Sequence, residues 1–491
     1  MLKPLNAAKW NFENAAHLLN RAGFGGPPAE IEKLVALGHS QAVSSLVDYE
    51  KISDPAIDPV WARPDPERQQ RLIAMRKATE EERKKLQKEE QQLQRERMME
   101  LRGWWLQRMT KGPRPLQEKL VLFWHGHFAT SVEKVRDAYF MWRQNELFRR
   151  LGTGNWLQLL IEAGKDPAML VWLDQAQSRK DHPNENFARE VMELFALGEG
   201  HYTEKDITEA ARALTGWSLD RAAEKFVYRV KAHDDGTKTF LGRAGNLAAE
   251  DVLEQIVAQP QAALYITAKL WNFFAGEYPV PGINFALADL FRKSGNNFKP
   301  VLRAMFLSEE FYEASLIRNQ VKSPVQWLVS SVRVLECELP PPLLSANLLR
   351  VLGQDLFAPP NVKGWDGGLA WITTNNLLAR YNEAATLVQG DSTIAASMAV
   401  GKKPNQVKRM QNQIKNYRPG GLKVDKILTE PERKEKSALV AALEKRLLQG
   451  KLKPKQEQSL REFLDSRKDL DETDIRDAIR LVMSTPEYQL T

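Results

Sequence analysis

Apolar side chains recur at helical spacing along almost the whole 491-residue chain, with glycine and proline as punctuation between the runs. Stripes of that period must be buried helix against helix, so the expected class is mainly α. We expect a large multi-helix domain with one small β-hairpin near 225–242 and a long charged helical arm. An N-terminal helix around Trp10–Ala22 ends in Gly23-Phe24-Gly25-Gly26, and Pro27-Pro28 can open the next. Residues 65–109 read as one long, densely charged helix. Leu72, Thr79, Leu86 and Leu93 repeat at seven, but the companion positions are charged, which favours a projecting hairpin arm over a coiled coil. Further helices are expected over Leu116–Phe128, near Val132–Leu151 and over Glu185–Leu197, the last stopping at Gly198-Glu199-Gly200. Thr203 followed by Asp206 forms a near-capping box opening a helix to Thr215-Gly216. The hairpin is expected to pair Phe226–Val230 with Thr239–Gly242 across a turn at His233–Gly236. Phe298–Tyr312 and Ile475–Gln489 echo each other as apolar helices ending in Ser, Glu and an aromatic, and read as equivalent structural stops.

The organisation this implies is an N-terminal helical part of the core (1–64), the arm (65–109), and a helical core carrying the site (110–400). A basic, partly mobile insertion (401–470) and a C-terminal helix of the core (471–491) follow. Hydrophobic residues make up 43% of the chain, ample for a core, and no apolar run reaches the roughly 18 residues that span a bilayer. The first residues lack a secretory pattern, so a soluble, cytoplasmic protein is the default expectation, with export beside a signal-bearing partner as the exception. Its single cysteine, Cys337, excludes an intramolecular disulfide and reads as a small buried apolar side chain. The net charge of +7 is local: residues 401–470 hold 19 Lys/Arg against 9 Asp/Glu, so the remainder is slightly acidic. That segment has no interleaved aromatic platform and no groove-reading motif, which argues against nucleic acid.

The stretch 184–217 carries the candidate chemistry. At helical spacing Asn186, Arg189, Glu190 and Glu193 share one face of an otherwise apolar helix, and burying carboxylates there is costly without partners. Five of the seven histidines, His125, His127, His182, His201 and His233, lie between residues 125 and 233. Two imidazoles at i, i+2 diverge by roughly 160° on an α-helix, so joint ligation by His125 and His127 requires Gly126 to break it. With Glu190, Glu193 and His233 or Asp234 they would give the mixed nitrogen and oxygen set suited to Zn, Mn or Fe. Two other readings stand beside the metal. In one, Glu190 and Glu193 are ion-paired to Arg189, Arg212 or Arg21 as a structural network. In the other, a metal-free acid–base site has one carboxyl raised by desolvation and partnered by His125 or His127. Asn186, Arg189, Lys363 and Trp365 are candidate substrate contacts. The loop Asn361–Gly368 with Trp371 could line a pocket mouth, although packing explains it as well. His17 reads as a core histidine, Thr130 and Ser131 as helix caps, and His233-Asp234-Asp235-Gly236 first as a turn.

Several of these segments together resemble the bacterial family called domain of unknown function 1800. They are Ala16–Gly25, Phe123–Ser131, Asp166–Leu170, Pro183–Glu190, Tyr202-Thr203-Glu204, Ala213–Trp217, His233-Asp234 with Lys238 and Leu241-Gly242, and Pro360–Trp365. The arm and the basic segment look like additions, and His39 and His182 fall outside the shared motifs. The resemblance implies a largely helical fold and no settled activity. Members are often encoded beside sulfatase-like proteins of another uncharacterised family, which implies a partner. Two functions are carried forward: a metal-dependent enzyme, hydrolase or oxidase, with catalytic Glu190, Glu193 and His125; and a non-catalytic helical scaffold binding a sulfatase-like partner.

Overall fold

The computed structural model describes residues 2–277, 280–389 and 422–491. Over these the protein is mainly α, with two small two-stranded sheets. Local sequence sets the helix ends. Asn11 caps the first long helix, Phe12–Arg21, by accepting from the Asn14 amide, and Pro28 opens the next at its first turn. Thr203 and Asp206 close a reciprocal capping box on Glu204–Ala213.

The long charged stretch is two helices rather than one, Arg68–Lys77 and Glu80–Lys111. Thr79, one of the heptad positions, is the break: its hydroxyl accepts from the Glu82 amide while the Glu82 carboxylate accepts from the Thr79 amide. The pair folds back as a hairpin, tied by Arg71 to Glu90 at 3.6 Å and by Arg83 to the Met75 carbonyl. No side chain from residue 61 to 97 is buried, and the second helix enters the core only from Met98 onward. The helix expected over 132–151 is also split, into Val132–Val135 and Ala138–Leu151, because Arg136 takes a left-handed backbone (φ 55°) and Asp137 caps the second piece.

The expected hairpin has the wrong partners. Lys225–Tyr228 pairs antiparallel with Trp217–Asp220, and Lys238–Phe240 pairs with Arg243–Gly245. Residues 233–237 cannot make the tight turn between strands because they are otherwise engaged: Asp234 binds Arg212, and the Lys238 ammonium donates to the carbonyls of Asp234 and Gly236. The two echoing segments do share a layout. Each is an apolar helix, Phe298–Leu307 or Glu472–Met483, followed by a short 3-10 turn. In the basic segment, 401–421 lies outside the described residues. Residues 422–470 form helices that bury Leu439, Val440, Leu443 and Leu464, so this part is packed rather than a solvated face.

The core is dense in aromatics. Trp124, Trp156, Phe128, Phe148 and Phe298 are at most 1% exposed and meet with ring centroids 5.0 to 6.0 Å apart. Each such side chain stabilises the fold by roughly 1.5–3 kcal/mol through burial. This cluster floors the helix Pro115–His127, which carries both candidate imidazoles. Among the described residues no helix is long and apolar enough to cross a membrane.

Candidate functional site

The acidic helix begins as an α-helix, Glu185–Glu190, and widens at Val191 into a π-helical turn through Ala196. The wider turn sends its amides one residue further back, so that Leu197 donates to Met192, and the left-handed Gly198 closes the end of the helix on the same carbonyl. Several carbonyls are thereby turned outward, and a neighbouring helix, Pro260–Phe274, meets them. The Tyr265 hydroxyl donates to Leu194 O at 2.9 Å and to Glu193 O at 3.3 Å; Lys269 Nζ donates to Leu194 O at 3.0 Å; Gln261 donates to Leu197 O at 3.1 Å. Gln261, Tyr265 and Lys269 stand at i, i+4 and i+8, one face of their helix. Single π turns often mark functional positions, and here about 1 kcal/mol per bond offsets the poorer backbone geometry.

His127 belongs to the same bracing set. Its Nε2 lies 3.0 Å from Phe195 O, and since a carbonyl only accepts, Nε2 carries the proton and Nδ1 is left as a lone pair. Lys269 Nζ faces that lone pair at 3.4 Å. Burial, then the Lys269 charge, hold the imidazole well below its ordinary pKa. Burial alone pushes the Lys269 ammonium down to about 8.

His125 has other partners. The Phe357 amide donates to its Nε2 at 3.0 Å, and the ring is packed by Trp105 at 5.2 Å, Phe357 at 5.0 Å and Trp365 at 5.5 Å. Burial, with the nearby Arg102 charge, lowers its pKa to about 3, so the ring is neutral at any physiological pH. The helix runs unbroken through Gly126 to His127. The break that joint ligation requires is therefore not there, and the two imidazoles bind backbone groups on opposite sides.

Glu190 and Glu193 differ from everything around them. The expected ion-pair network does not form. Arg189 binds Glu185 and Glu204, Arg212 binds Glu209 and Asp234, and Arg21 donates to Leu316 O and Asn319. Among the described residues neither Glu190 nor Glu193 has a salt-bridge partner within 4 Å. The half-buried Glu193 accepts a long bond, 3.4 Å, from the Tyr202 hydroxyl. Half-buried Glu190 is pushed up to about 6 by desolvation first and by the Glu193 charge second, against smaller downward pulls from Arg189 and Lys363.

The loop bearing Lys363 docks close by. Gly364 has φ 87°, and a Cβ there would come within 2.5 Å of the Gly126 carbonyl oxygen, so only glycine permits this backbone-on-backbone approach. That contact sets Lys363 on the Glu190 side and Trp365 on the His125 side. His233 and Asp234 are placed elsewhere. His233 Nδ1 bonds Thr215 O at 2.9 Å, while Asp234 is held by Arg212 and by the Gly236 amide. Asn186 is exposed at the first turn of the acidic helix. Among the described residues no group of three or more His, Cys, Asp or Glu side chains is arranged to hold a metal ion.

His17 bonds Phe311 O and Ser131 caps Val132–Val135, as their local patterns suggested. Sequence reasoning missed the bracing face Gln261/Tyr265/Lys269, although its i, i+4, i+8 spacing of long polar groups on an apolar helix was there to be seen. It also missed Phe357, whose left-handed backbone (φ 64°) carries no sequence signal.

A search of curated proteins and one of solved structures each gave no match. The family model for proteins of unknown function DUF1800 matches residues 17–490, nearly the whole chain. Apart from Ala16, the segments that carried the resemblance lie inside that match, and the chain belongs to the DUF1800 family.

Proposed function

We propose that the protein is an enzyme that uses Glu190 as its general acid–base group. The observation that carries this reading is a half-buried carboxyl, unpaired among the described residues and raised to about 6 by desolvation and by Glu193 three residues on. A carboxyl near neutrality can both give and take a proton at working pH, whereas one at its ordinary value can only accept. Glu193, on the π turn, keeps the Glu190 proton on, and Lys363 stands where it can steady a developing negative charge. The reaction class best suited is hydrolysis, with water activated or a leaving group protonated at Glu190. In the metal-dependent form of this reading, a Zn, Mn or Fe(II) ion would be held by the two carboxylates, whose mutual repulsion it would relieve. His125 and His127 fit that role poorly, because their lone pairs already serve the Phe357 amide and the Lys269 ammonium.

The test is hydrolysis of a panel of chromogenic esters, phosphates and glycosides by wild type, Glu190→Gln and Glu193→Gln, with elemental analysis of each after exposure to Zn, Mn and Fe(II). We expect one class to be turned over with an inflection near pH 6. That turnover should be abolished by Glu190→Gln, and the inflection should move lower in Glu193→Gln. Turnover unaffected by Glu190→Gln, or none in any class, would sink the proposal. A second reading, a scaffold that binds a sulfatase-like protein through the arm, is favoured by one observation: residues 62–97 contribute no hydrophobic side chain to this chain's own core. Deleting the arm and measuring co-purification of the neighbouring gene product separates the two.

A further inference from the structure

We propose that the cleft between the arm and the turn Ser131–Asp137 binds a small anion, a carboxylate or phosphate carried on an apolar body. The proposal does not depend on the acid–base reading of Glu190. Two adjoining open depressions, of about 280 and 460 Å³, share Lys134 and Arg136 as a common wall. The smaller is lined by Arg68, Arg71 and Arg221 over an apolar floor that includes Val135 and Phe140; the larger is bounded by Trp172, Pro359 and Pro360. Volumes of this size suit a small organic molecule, and apolar walls with a few convergent charges are the usual make-up of such sites.

The charges are unevenly satisfied. Arg68 is held by Asp137 at 2.6 Å and Glu224 at 2.7 Å, Arg71 by Asp65 and Glu90, and Lys134 by Asp174 at 2.7 Å. Arg136 and Arg221 are exposed at the cleft and have no carboxylate partner among the described residues; Arg136 Nε donates only to the Glu133 carbonyl on its own turn. The acids in the smaller cavity, Glu90 and Asp137, are spent on Arg71 and Arg68. Glu133 in the larger one opposes Lys134 and Arg136 and would weaken an anion's hold.

The backbone is strained around the same cleft. Arg136 (φ 55°), Asp174 (φ 57°), Glu224 (φ 54°) and Phe357 (φ 64°) are all left-handed without being glycine. Of the four, only Arg136 lines the cleft; behind it Asp174 holds Lys134, Glu224 holds Arg68, and the Phe357 carbonyl accepts from the Val132 amide. Left-handed backbone strains a residue that carries a Cβ, and residues so placed cluster at ligand clamps.

The experiment is calorimetric titration of the full chain with phenyl phosphate and with benzoate, using benzyl alcohol as the neutral control. We expect saturable one-site binding of at least one aromatic anion, weakening with salt, and none of the alcohol. Arg136→Gln should lose about tenfold or more in affinity, and Glu133→Gln should gain. Arg136→Gly separates binding from folding: it relieves the left-handed strain and should raise the melting temperature while still losing the anion. No saturable binding of either anion, equal binding of benzyl alcohol, or unchanged affinity in Arg136→Gln overturns the proposal. So does affinity confined to an acidic polypeptide.

Discussion

The imidazole pair at 125 and 127 and the carboxylate pair at 190 and 193 lie on neighbouring helices, yet they have opposite fates. Both histidines are fully enclosed, neutral and bonded to backbone: His125 pins the left-handed Phe357 and His127 steadies the π turn. Both glutamates are half-exposed, and among the described residues no cation pairs with them. Chemistry-bearing residue types can therefore be structural when their polar atoms already have partners. The groups left with capacity to react are those the fold has not satisfied.

The strongest way to break this comparison is His127→Ala. The variant removes a buried ring and leaves Phe195 O without its donor, so a loss of about 2–4 kcal/mol in urea unfolding is expected. A loss within error would mean that the imidazole is not a brace and return it to the list of reactive groups. Lys269→Met sharpens the same side through pH. The folded ammonium releases its proton at about 8 and the unfolded one at about 10.5, so between these values the unfolded chain binds more protons and stability rises with pH. The difference between wild type and Lys269→Met should show that rise, independent of other lysines. Tyr265→Phe takes one hydroxyl from two carbonyls, a cost of about 1 kcal/mol, and hydrogen exchange at Leu197 and Gly198 should quicken locally. Smallest is Glu190→Gln. A carboxyl raised from 4.5 to about 6 favours the folded state below pH 4.5, and that contribution is lost as pH rises to 6. The variant should therefore gain stability at pH 7, by less than about 1 kcal/mol after solvent screening, and match wild type at pH 4. A large destabilisation at pH 7 would place Glu190 with the histidines as a structural group.

The helical class, the Thr203/Asp206 cap and the glycine stop at Gly198 were legible because each depends on residues a few positions apart. The hairpin was misread because Phe226–Tyr228 can pair with any nearby extended run, and what excludes 239–242 is the capture of Asp234 by Arg212 and of the carbonyls around it by Lys238. The Glu190/Glu193 face was visible as a periodic anomaly in an apolar helix. The π turn beneath it was not, since 185–197 has the same apolar spacing in either geometry, and the difference comes from Tyr265 and His127, distant in sequence. Gly126 shows the limit from the other side. It was read as a helix breaker, whereas its lack of a side chain serves the docking of Gly364 onto its carbonyl.

The helix Glu80–Lys111 is one uninterrupted rod of 32 residues, about 48 Å long, bare of burial as far as residue 97 and clamped in the core beyond it. Its clamped end carries Arg102, ion-paired to Asp355 at 2.9 Å, and Trp105, whose ring stands against His125. Asp355 and Phe357 begin the loop that runs on to Lys363. The rod is also held short of Met98, where Gln94 accepts from the Ala138 amide, so it is pinned at two places and joins the 133–138 turn to the loop that runs on to Lys363.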